Sequence, residues 1–438
     1  MKVSKYVRII NYKDEIILYN TVDHAIVQLP KEAVSGRELN DMLNEESILT
    51  LREMGYLAET DEAIASQLES YLINKNKLFI SIELNLSCNL RCPYCYQAGS
   101  HNGKSIEDNV LEEIVNYVNA VYKKESISDL YLKILGGEPT LAWGKFKKVY
   151  ERLQHLCREK QIKLHLLVDT NGTMIKDILT LSGYDSLLFT IPLTAQKCHD
   201  NVRKDANGYG TYNLIIENIN VIKQKKPEAK IVIRYNVDDK NVKLFDDFLV
   251  DIGKRLTFKP LVSVNYTAEL NGKEEFGNGM TYLEFVKWSC SEAIDCLVKH
   301  KMPITISPII SIEECQFRSK YSMKVFCDGT VGSCAMDFFE NKRLHIKDLL
   351  TEFDADNLFS RKKKRQTIMA DKQCLECDSI FLCGGTNKLP CIKALCPSMC
   401  AEKKFGIDIE LFIRKYMECQ ENGTSDLFVV FENGESYR

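Results

Sequence analysis

"LFISIELNLSCNLRCPYC", residues 78–95, changes character in its middle. The first half is an apolar run of strand length, bounded by polar turn residues. The second half sets Cys88, Cys92 and Cys95 within eight positions, spaced Cys-x₃-Cys-x₂-Cys. The stretch therefore reads as a strand that delivers three thiols at its C-terminal end. Tyr94 stands just before the last of them.

Strands recur downstream at "DLYLKIL" (129–135), "KLHLLVDT" (163–170), "SLLFTIPL" (186–193), "KIVIRYNV" (230–237) and "TFKPLVSVNYTAEL" (257–270). Amphipathic helical stretches lie between them, among them "EDNVLEEIVNYVNAVYKKE" (107–125) and "YNLIIENINVIKQKK" (212–226). Alternation of strands and helices implies a parallel sheet covered by helices. Six units over roughly 190 residues fall short of a closed eight-fold barrel. The expected fold class is therefore α/β, a partial (β/α)6 barrel, with its site where the loops after the strands gather.

Outward from that centre the chain divides further. Residues 1–62 read as a winged-helix-like module, with a hairpin turning at "NYKDE" and helices over "SGRELNDMLNEE" (35–46) and "ILTLREMGYL" (48–57). A linker helix is expected over 63–77, the barrel over 78–275 and a bridging helix over 276–314. A cysteine-rich domain follows over 315–405, then a C-terminal helix ("DIELFIRKYMECQ") and strand ("DLFVVFE") over 406–438.

Composition bounds the function. The chain has 438 residues and 45% hydrophobic content, enough for two or three globular domains. A formal net charge of −3 gives no electrostatic case for nucleic acid. No run of about 18 apolar residues suggests a membrane span. The charged N-terminus is unlike a signal peptide, and a cytoplasmic location is expected. Of the 17 cysteines, Cys157, Cys198, Cys290, Cys296 and Cys419 are scattered and read as small buried hydrophobes. Cys315, Cys327, Cys334, Cys374, Cys377, Cys383, Cys391, Cys396 and Cys400 crowd one region with little apolar periodicity, which suits a domain folded around metal.

Three thiols without a near fourth suit two chemistries. Structural zinc sites are closed by four ligands, and here only His101 is near enough in sequence to complete one. An iron–sulfur cubane with three protein ligands leaves one iron open to an exogenous ligand.

Cys-x₃-Cys-x₂-Cys after a first strand, with Tyr94 inside it, resembles the radical S-adenosylmethionine (SAM) enzymes. The resemblance implies a [4Fe–4S] cluster on Cys88, Cys92 and Cys95, with SAM on the open iron. "ILGGEPT" resembles that family's GGEP motif, which assigns Gly136, Gly137, Glu138 and Pro139 to the methionine end of SAM. Thr170 and Asn171 would meet the ribose and Arg234 the methionine carboxylate. His199–Asp200 match a further motif whose preceding Asp-Gly is missing here, leaving Thr190 and Thr194 as substitutes. The C-terminal cysteines are similar to the SPASM extension, which carries two auxiliary [4Fe–4S] clusters. Cys315 and Cys334 would bind the nearer cluster, and Cys374, Cys377, Cys383 and Cys400 the farther one. Asn387 stands where that extension usually has a cysteine; Cys391 is a candidate for that role in the nearer cluster and Cys327 for its remaining ligand, and one of Cys327, Cys391 and Cys396 is surplus.

The resemblance implies a peptide maturase. Its first module would bind the leader of a ribosomally made precursor peptide, its barrel would install a thioether or carbon–carbon cross-link, and a flavodoxin or ferredoxin would supply electrons. A sulfatase maturase forming formylglycine is the alternative, with Asp337, three residues beyond Cys334, as the catalytic base. A zinc-ribbon peptide-binding adaptor is the non-enzymatic alternative.

Overall fold

The computed structural model describes residues 1–66, 76–95, 97, 103–267, 279–306, 321–332, 344–351, 376–383 and 401–429. Cys315, Cys334, Cys374, Cys391, Cys396, Cys400 and Asp337 lie outside the described residues.

The N-terminal module is an antiparallel sheet of β1 (Val7–Tyr12), β2 (Glu15–Asn20) and β3 (Ile26–Pro30), in that spatial order. Period-2 alternation gives the sheet two buried faces. Val7, Ile16, Leu18 and Leu29 pack into the module's own core with Leu51 and Tyr56. Ile10, Tyr12, Ile17 and Tyr19 face the other way and join the main core. The expected helix over 35–46 is absent. Its start forms a small hairpin, β4 (Val34–Ser35) with β5 (Glu38–Leu39), because Gly36 takes a positive φ of 61° and turns the chain. Helix α1 (Glu45–Glu53) begins only where Asn44 caps it, accepting a hydrogen bond from the Ser47 amide. Helix α2 (Asp61–Ser66) follows.

Strands form at all six expected places, with β6 ending earlier and β11 starting later than read: β6 (Lys77–Glu83), β7 (Asp129–Leu135), β8 (Lys163–Asp169), β9 (Ser186–Pro192), β10 (Lys230–Val237) and β11 (Leu261–Tyr266). They pair in parallel and in sequence order. β12 (Met323–Val325) adds in parallel to β6, and β13 (Thr330–Gly332) and β14 (Leu344–His345) extend the sheet antiparallel to nine strands. Gly329, at φ 79°, makes the β12–β13 turn.

Helices cover one face. In α3 (Asp108–Glu125), Val110, Ile114, Tyr117, Val118 and Val121 form a buried stripe at helical spacing. Helix α4 (Trp143–Lys160) follows β7, α5 (Gln196–Val202) and α6 (Tyr212–Lys225) both follow β9, and α7 (Phe245–Arg255) follows β10, while β8 is followed only by a 3-10 turn. Leu130, Leu132 and Ile134 of β7 belong to this core, so Tyr131, Lys133 and Leu135 point to the opposite face. The bridging segment is two helices, α8 (Tyr282–Ser289) and α9 (Glu292–Lys299). Helix α10 (Ile346–Thr351) follows β14 and α11 (Ile380–Cys383) lies in the cysteine-rich region. The C-terminal helix α12 (Ala401–Glu421) is longer than expected. Asp426 and Leu427, expected to begin a strand, lie in a short 3-10 turn, Ser425–Leu427. No helix among the described residues is long and apolar enough to cross a membrane.

The module docks on the far end of the chain. Arg8 donates to both carboxylate oxygens of Asp378, and Tyr6 meets Phe381 edge-on at 5.0 Å between ring centres.

Candidate functional site at the ends of the barrel strands

The three-cysteine loop leaves β6 and is clasped against the loop after β7. Gly137 N donates to Asn85 O at 2.9 Å and Glu138 N to Ser87 O at 2.7 Å. The clasp explains the paired glycines. A Cβ on Gly136 would meet Asn85 O at 2.9 Å, and one on Gly137 would sit 2.6 Å from the Ser87 carbonyl carbon and nearer still to its oxygen. The amides of Gly137 and Glu138 thus bind the cysteine loop.

Glu138 is fully buried and its carboxylate is already held. Oε1 accepts from Thr140 Oγ1 (2.7 Å) and Thr170 Oγ1 (2.8 Å), and Oε2 from Asn171 N (2.7 Å). Burial pushes the carboxyl above its ordinary range while these donors oppose the rise. Glu138 therefore ties the end of β7 to the end of β8. Asn171 carries the tie onward: its side-chain amide donates to Asn89 Oδ1 at 2.7 Å and lies 3.9 Å from Cys88 Sγ. Leu90 N points at the same sulfur from 3.4 Å. Burial raises the Cys88 thiol, and the Leu90 amide opposes it.

Tyr94 is held by a residue that sequence reading passed over. Arg203, at the end of α5, donates to Tyr94 Oη at 2.9 Å. Burial raises the Tyr94 phenol, and Arg203 opposes the rise. Burial also works against the charge on Arg203, but Tyr94, Cys92 and Cys88 outweigh it. His199 and Asp200 support this corner from behind. His199 Nε2 is 3.2 Å from Thr211 Oγ1, whose hydroxyl donates to Arg203 O at 2.8 Å. Asp200 Oδ1 accepts from Tyr212 N at 2.9 Å, and Gly210 leaves no room for a Cβ beside it.

Charged residues line the sheet face turned away from the helices. Lys133 and Asp169 pair at 2.8 Å, each about a quarter to a third exposed. Burial pushes Asp169 up, but Lys133 and then Arg234 pull it below the usual carboxylate range. Thr190 lies beside the same carboxylate, and Thr194 is buried one turn beyond β9. Across the sheet, Glu83 accepts from Gln97 Nε2 at 2.8 Å and lies 3.5 Å from Lys324. Burial, with Glu83 adding, pushes the Cys327 thiol up to about 12. A charge inside an apolar strand singled out Arg234, and the same signal marks Glu83, Lys133 and Asp169.

At the opposite end, His165 bridges Asp129 Oδ1 and Ser186 Oγ, both at 2.8 Å, and stacks on Tyr131. This row staples three strand beginnings and belongs to the floor of the barrel.

The arrangement suits the groups that the motifs imply. No three described His, Cys, Asp or Glu side chains converge as one metal-binding group, yet Cys88 and Cys92 are close enough to influence each other. Buried Asn85 Oδ1 and Asp169 Oδ1 are acceptors without protein partners, and Arg203 Nε is a donor without one. Orphaned acceptors and donors around thiols, at strand C-terminal ends, fit a ligand that carries both amino and carboxylate groups.

Comparison with known proteins agrees with this geometry. Residues 82–249 match the Radical SAM superfamily. The chain is 27% identical over 194 residues to a cysteine-type anaerobic sulfatase-maturating enzyme of Clostridium novyi (strain NT), covering 43% of this chain and 51% of that protein. It is 27% identical over 183 residues to a serine-type anaerobic sulfatase-maturating enzyme of Klebsiella aerogenes, covering 40% and 45%. These matches span about half the length of the curated relatives. A solved structure of native anSMEcpe with bound AdoMet and Cp18Cys peptide superposes with a TM-score of 0.58 at 19% identity, over 80% of this chain and 99% of that one. Residues 82–249 are a radical SAM domain, in a family whose enzymes use SAM and a cysteine-bound [4Fe–4S] cluster.

Proposed function

We propose that this radical SAM enzyme is a peptide maturase, which removes hydrogen from a ribosomally made peptide and closes a thioether or carbon–carbon cross-link. Cys88, Cys92 and Cys95 would hold the [4Fe–4S] cluster, with Asn85, Thr170, Asn171 and Arg234 around SAM. Together these groups supply a 5′-deoxyadenosyl radical when bound. The chain's own residues then place the peptide and exclude water. Lys133 and Asp169, paired on the face away from the helices, would present fixed charges toward the peptide.

The observation that carries the reading is the N-terminal sheet. It owns a separate core, has β3 at one edge among the described residues, and is anchored to the cysteine-rich region through Arg8, Asp378 and Phe381. An edge strand of that kind accepts an extended leader as an added strand. Auxiliary clusters in a SPASM-like domain, with Cys377 and Cys383 among their ligands, would accept the second electron.

The sulfatase-maturating relatives favour a second reading, oxidation of a peptide Cys or Ser to formylglycine with Asp337 as base. Mass spectrometry separates the two after anaerobic co-expression with a precursor peptide encoded beside the gene. A Cys88-dependent loss of two hydrogens per modification, with no aldehyde trapped by a hydrazine, supports cross-linking. An unmodified precursor, together with an aldehyde formed on a sulfatase peptide, would replace the first reading by the second. Metal analysis tests the premise. Three cubanes give on the order of twelve irons per chain, whereas a colourless zinc protein would end both readings.

A further inference from the structure

Arg203 combines features that an ordinary structural arginine lacks. It is only 7% exposed. Its side chain makes one hydrogen bond, to Tyr94 Oη, and Nε has no partner. No carboxylate pairs with it among the described residues. A buried guanidinium left in this state costs several kcal/mol unless an anion compensates it. The groups of opposite charge that it feels are Tyr94, Cys92 and Cys88. His199, which also feels the Arg203 charge, is buried, neutral and unable to compensate a cation.

The placement is also held from several directions. Arg203 N donates to His199 O at 2.8 Å, Thr211 Oγ1 donates to Arg203 O, and Arg91 N reaches Lys204 O at 3.1 Å. An isolated bridge joins Leu90 to Asp205. The loop after α5 is thereby laced to the cysteine loop along its length. Arg91, on the cysteine loop itself, offers the contrast. Its guanidinium is bonded to the carbonyls of Cys88 (2.6 Å) and Leu90 (3.0 Å), and the residue is exposed to solvent.

We propose that Arg203 is a positioning residue that sets the reduction potential of the cluster on Cys88, Cys92 and Cys95, its buried charge making the cluster easier to reduce. The inference rests on the radical SAM reading of that loop. Reduction brings one electron from a low-potential one-electron donor, a reduced flavin or iron–sulfur protein in the cell or dithionite in the assay. No proton moves, so the cluster and its thiolates gain one negative charge. A fixed cation in a low-dielectric surrounding favours that gain. The water-screened charge of Arg91 favours it far less.

The test is a redox titration followed by electron paramagnetic resonance on reconstituted full-length protein, reading the signal that changes when SAM is added. Arg203→Met should keep its iron but show about a tenfold lower reduced-to-oxidised ratio at a fixed poise, a shift of about 59 mV for one electron. Arg203→Lys should recover most of that loss. Tyr94→Phe, which keeps the charge and removes the hydrogen bond, and Arg91→Met should each stay within about twofold of the parent ratio. A parent-like midpoint in iron-replete Arg203→Met would overturn the inference. If Arg203→Met does not load iron, the other variants decide. Arg203→Lys and Tyr94→Phe at parent potential uphold it, and a tenfold loss in either overturns it. A parent protein without any SAM-sensitive signal would instead refute the radical SAM reading itself, and this inference with it.

Discussion

Gly137→Ala is the sharpest perturbation of the site. The added methyl would sit 2.6 Å from the Ser87 carbonyl carbon and 3.1 Å from that of Leu86. Carbon atoms in ordinary contact stand about 3.5–4.0 Å apart, so one side must retreat by about 1 Å. Both sides are backbone, which no rotamer change relieves. If the clasp opens, Gly137 N and Glu138 N lose Asn85 O and Ser87 O, at about 1–3 kcal/mol for each buried donor left unpaired. If it stays shut, the overpacking stores about 1–3 kcal/mol. The expected loss is about 2–4 kcal/mol, a fall of about 4–16 °C in the melting midpoint for a unit of the barrel's size. Ser87 precedes Cys88, so the shift also moves the first thiol. A misplacement of about 1 Å costs on the order of 100-fold in rate. Anaerobic calorimetry and the rate of 5′-deoxyadenosine release from SAM measure the two effects. Gly253→Ala is the control: it lies inside α7, its Cβ would meet only Met302 Cε at 3.8 Å, and it should stabilise by about 0.5–1 kcal/mol. A Gly137→Ala enzyme that melts within 2 °C of the parent and cleaves SAM within twofold would refute the clasp.

Burial, reinforced by Arg203, lowers the His199 pKa to about 3. The unfolded chain takes up that proton near pH 6.5 and the folded chain does not, so this contribution is complete above pH 6.5 and is lost as pH falls. The loss reaches about 2 kcal/mol at pH 5. Melting curves of the parent should therefore fall more steeply between pH 6.5 and 5 than those of His199→Gln, and parallel curves would contradict the burial argument. Lys133→Met strips Asp169 of its nearest cation, and partial exposure limits the cost to about 1–3 kcal/mol. Adding Asp169→Asn should restore part of it in a double-mutant cycle, and strict additivity would show that the pair is not coupled. Glu138→Gln sets an amide N–H₂ against hydroxyl or amide donors on one side, costing about 1–3 kcal/mol. Weaker SAM binding by titration calorimetry should accompany it, and unchanged stability would mean that the donors re-pair elsewhere.

Much of the scaffold was legible before any coordinates. Short apolar runs alternating with amphipathic stretches placed all six parallel strands, and helical stripes placed α3 and α6. The cysteine spacing and the paired glycines marked the site. The misreadings share one cause, since short segments carry too little periodicity to choose between states. "SGRELNDMLNEE" has apolar residues at helical intervals, but Gly36 and the β4–β5 pairing decide its first half. "DLFVVFE" reads as a strand, yet Ser425–Leu427 closes as a 3-10 turn with Phe428 packed against Phe412 and Tyr416.

Local sequence by itself determined the thiols' spacing and the strand and helix order, because those depend on neighbours along the chain. Only the tertiary structure decided that Glu138 spends its oxygens on Thr140, Thr170 and Asn171, that Gly137 must clear Ser87, and that Arg203 lies against Tyr94 and the cysteine loop. Arg203 is 109 residues from Tyr94. Parallel β/α topology brings every strand's C-terminal end to one rim, so partners there are chosen by position around the sheet rather than by distance in sequence.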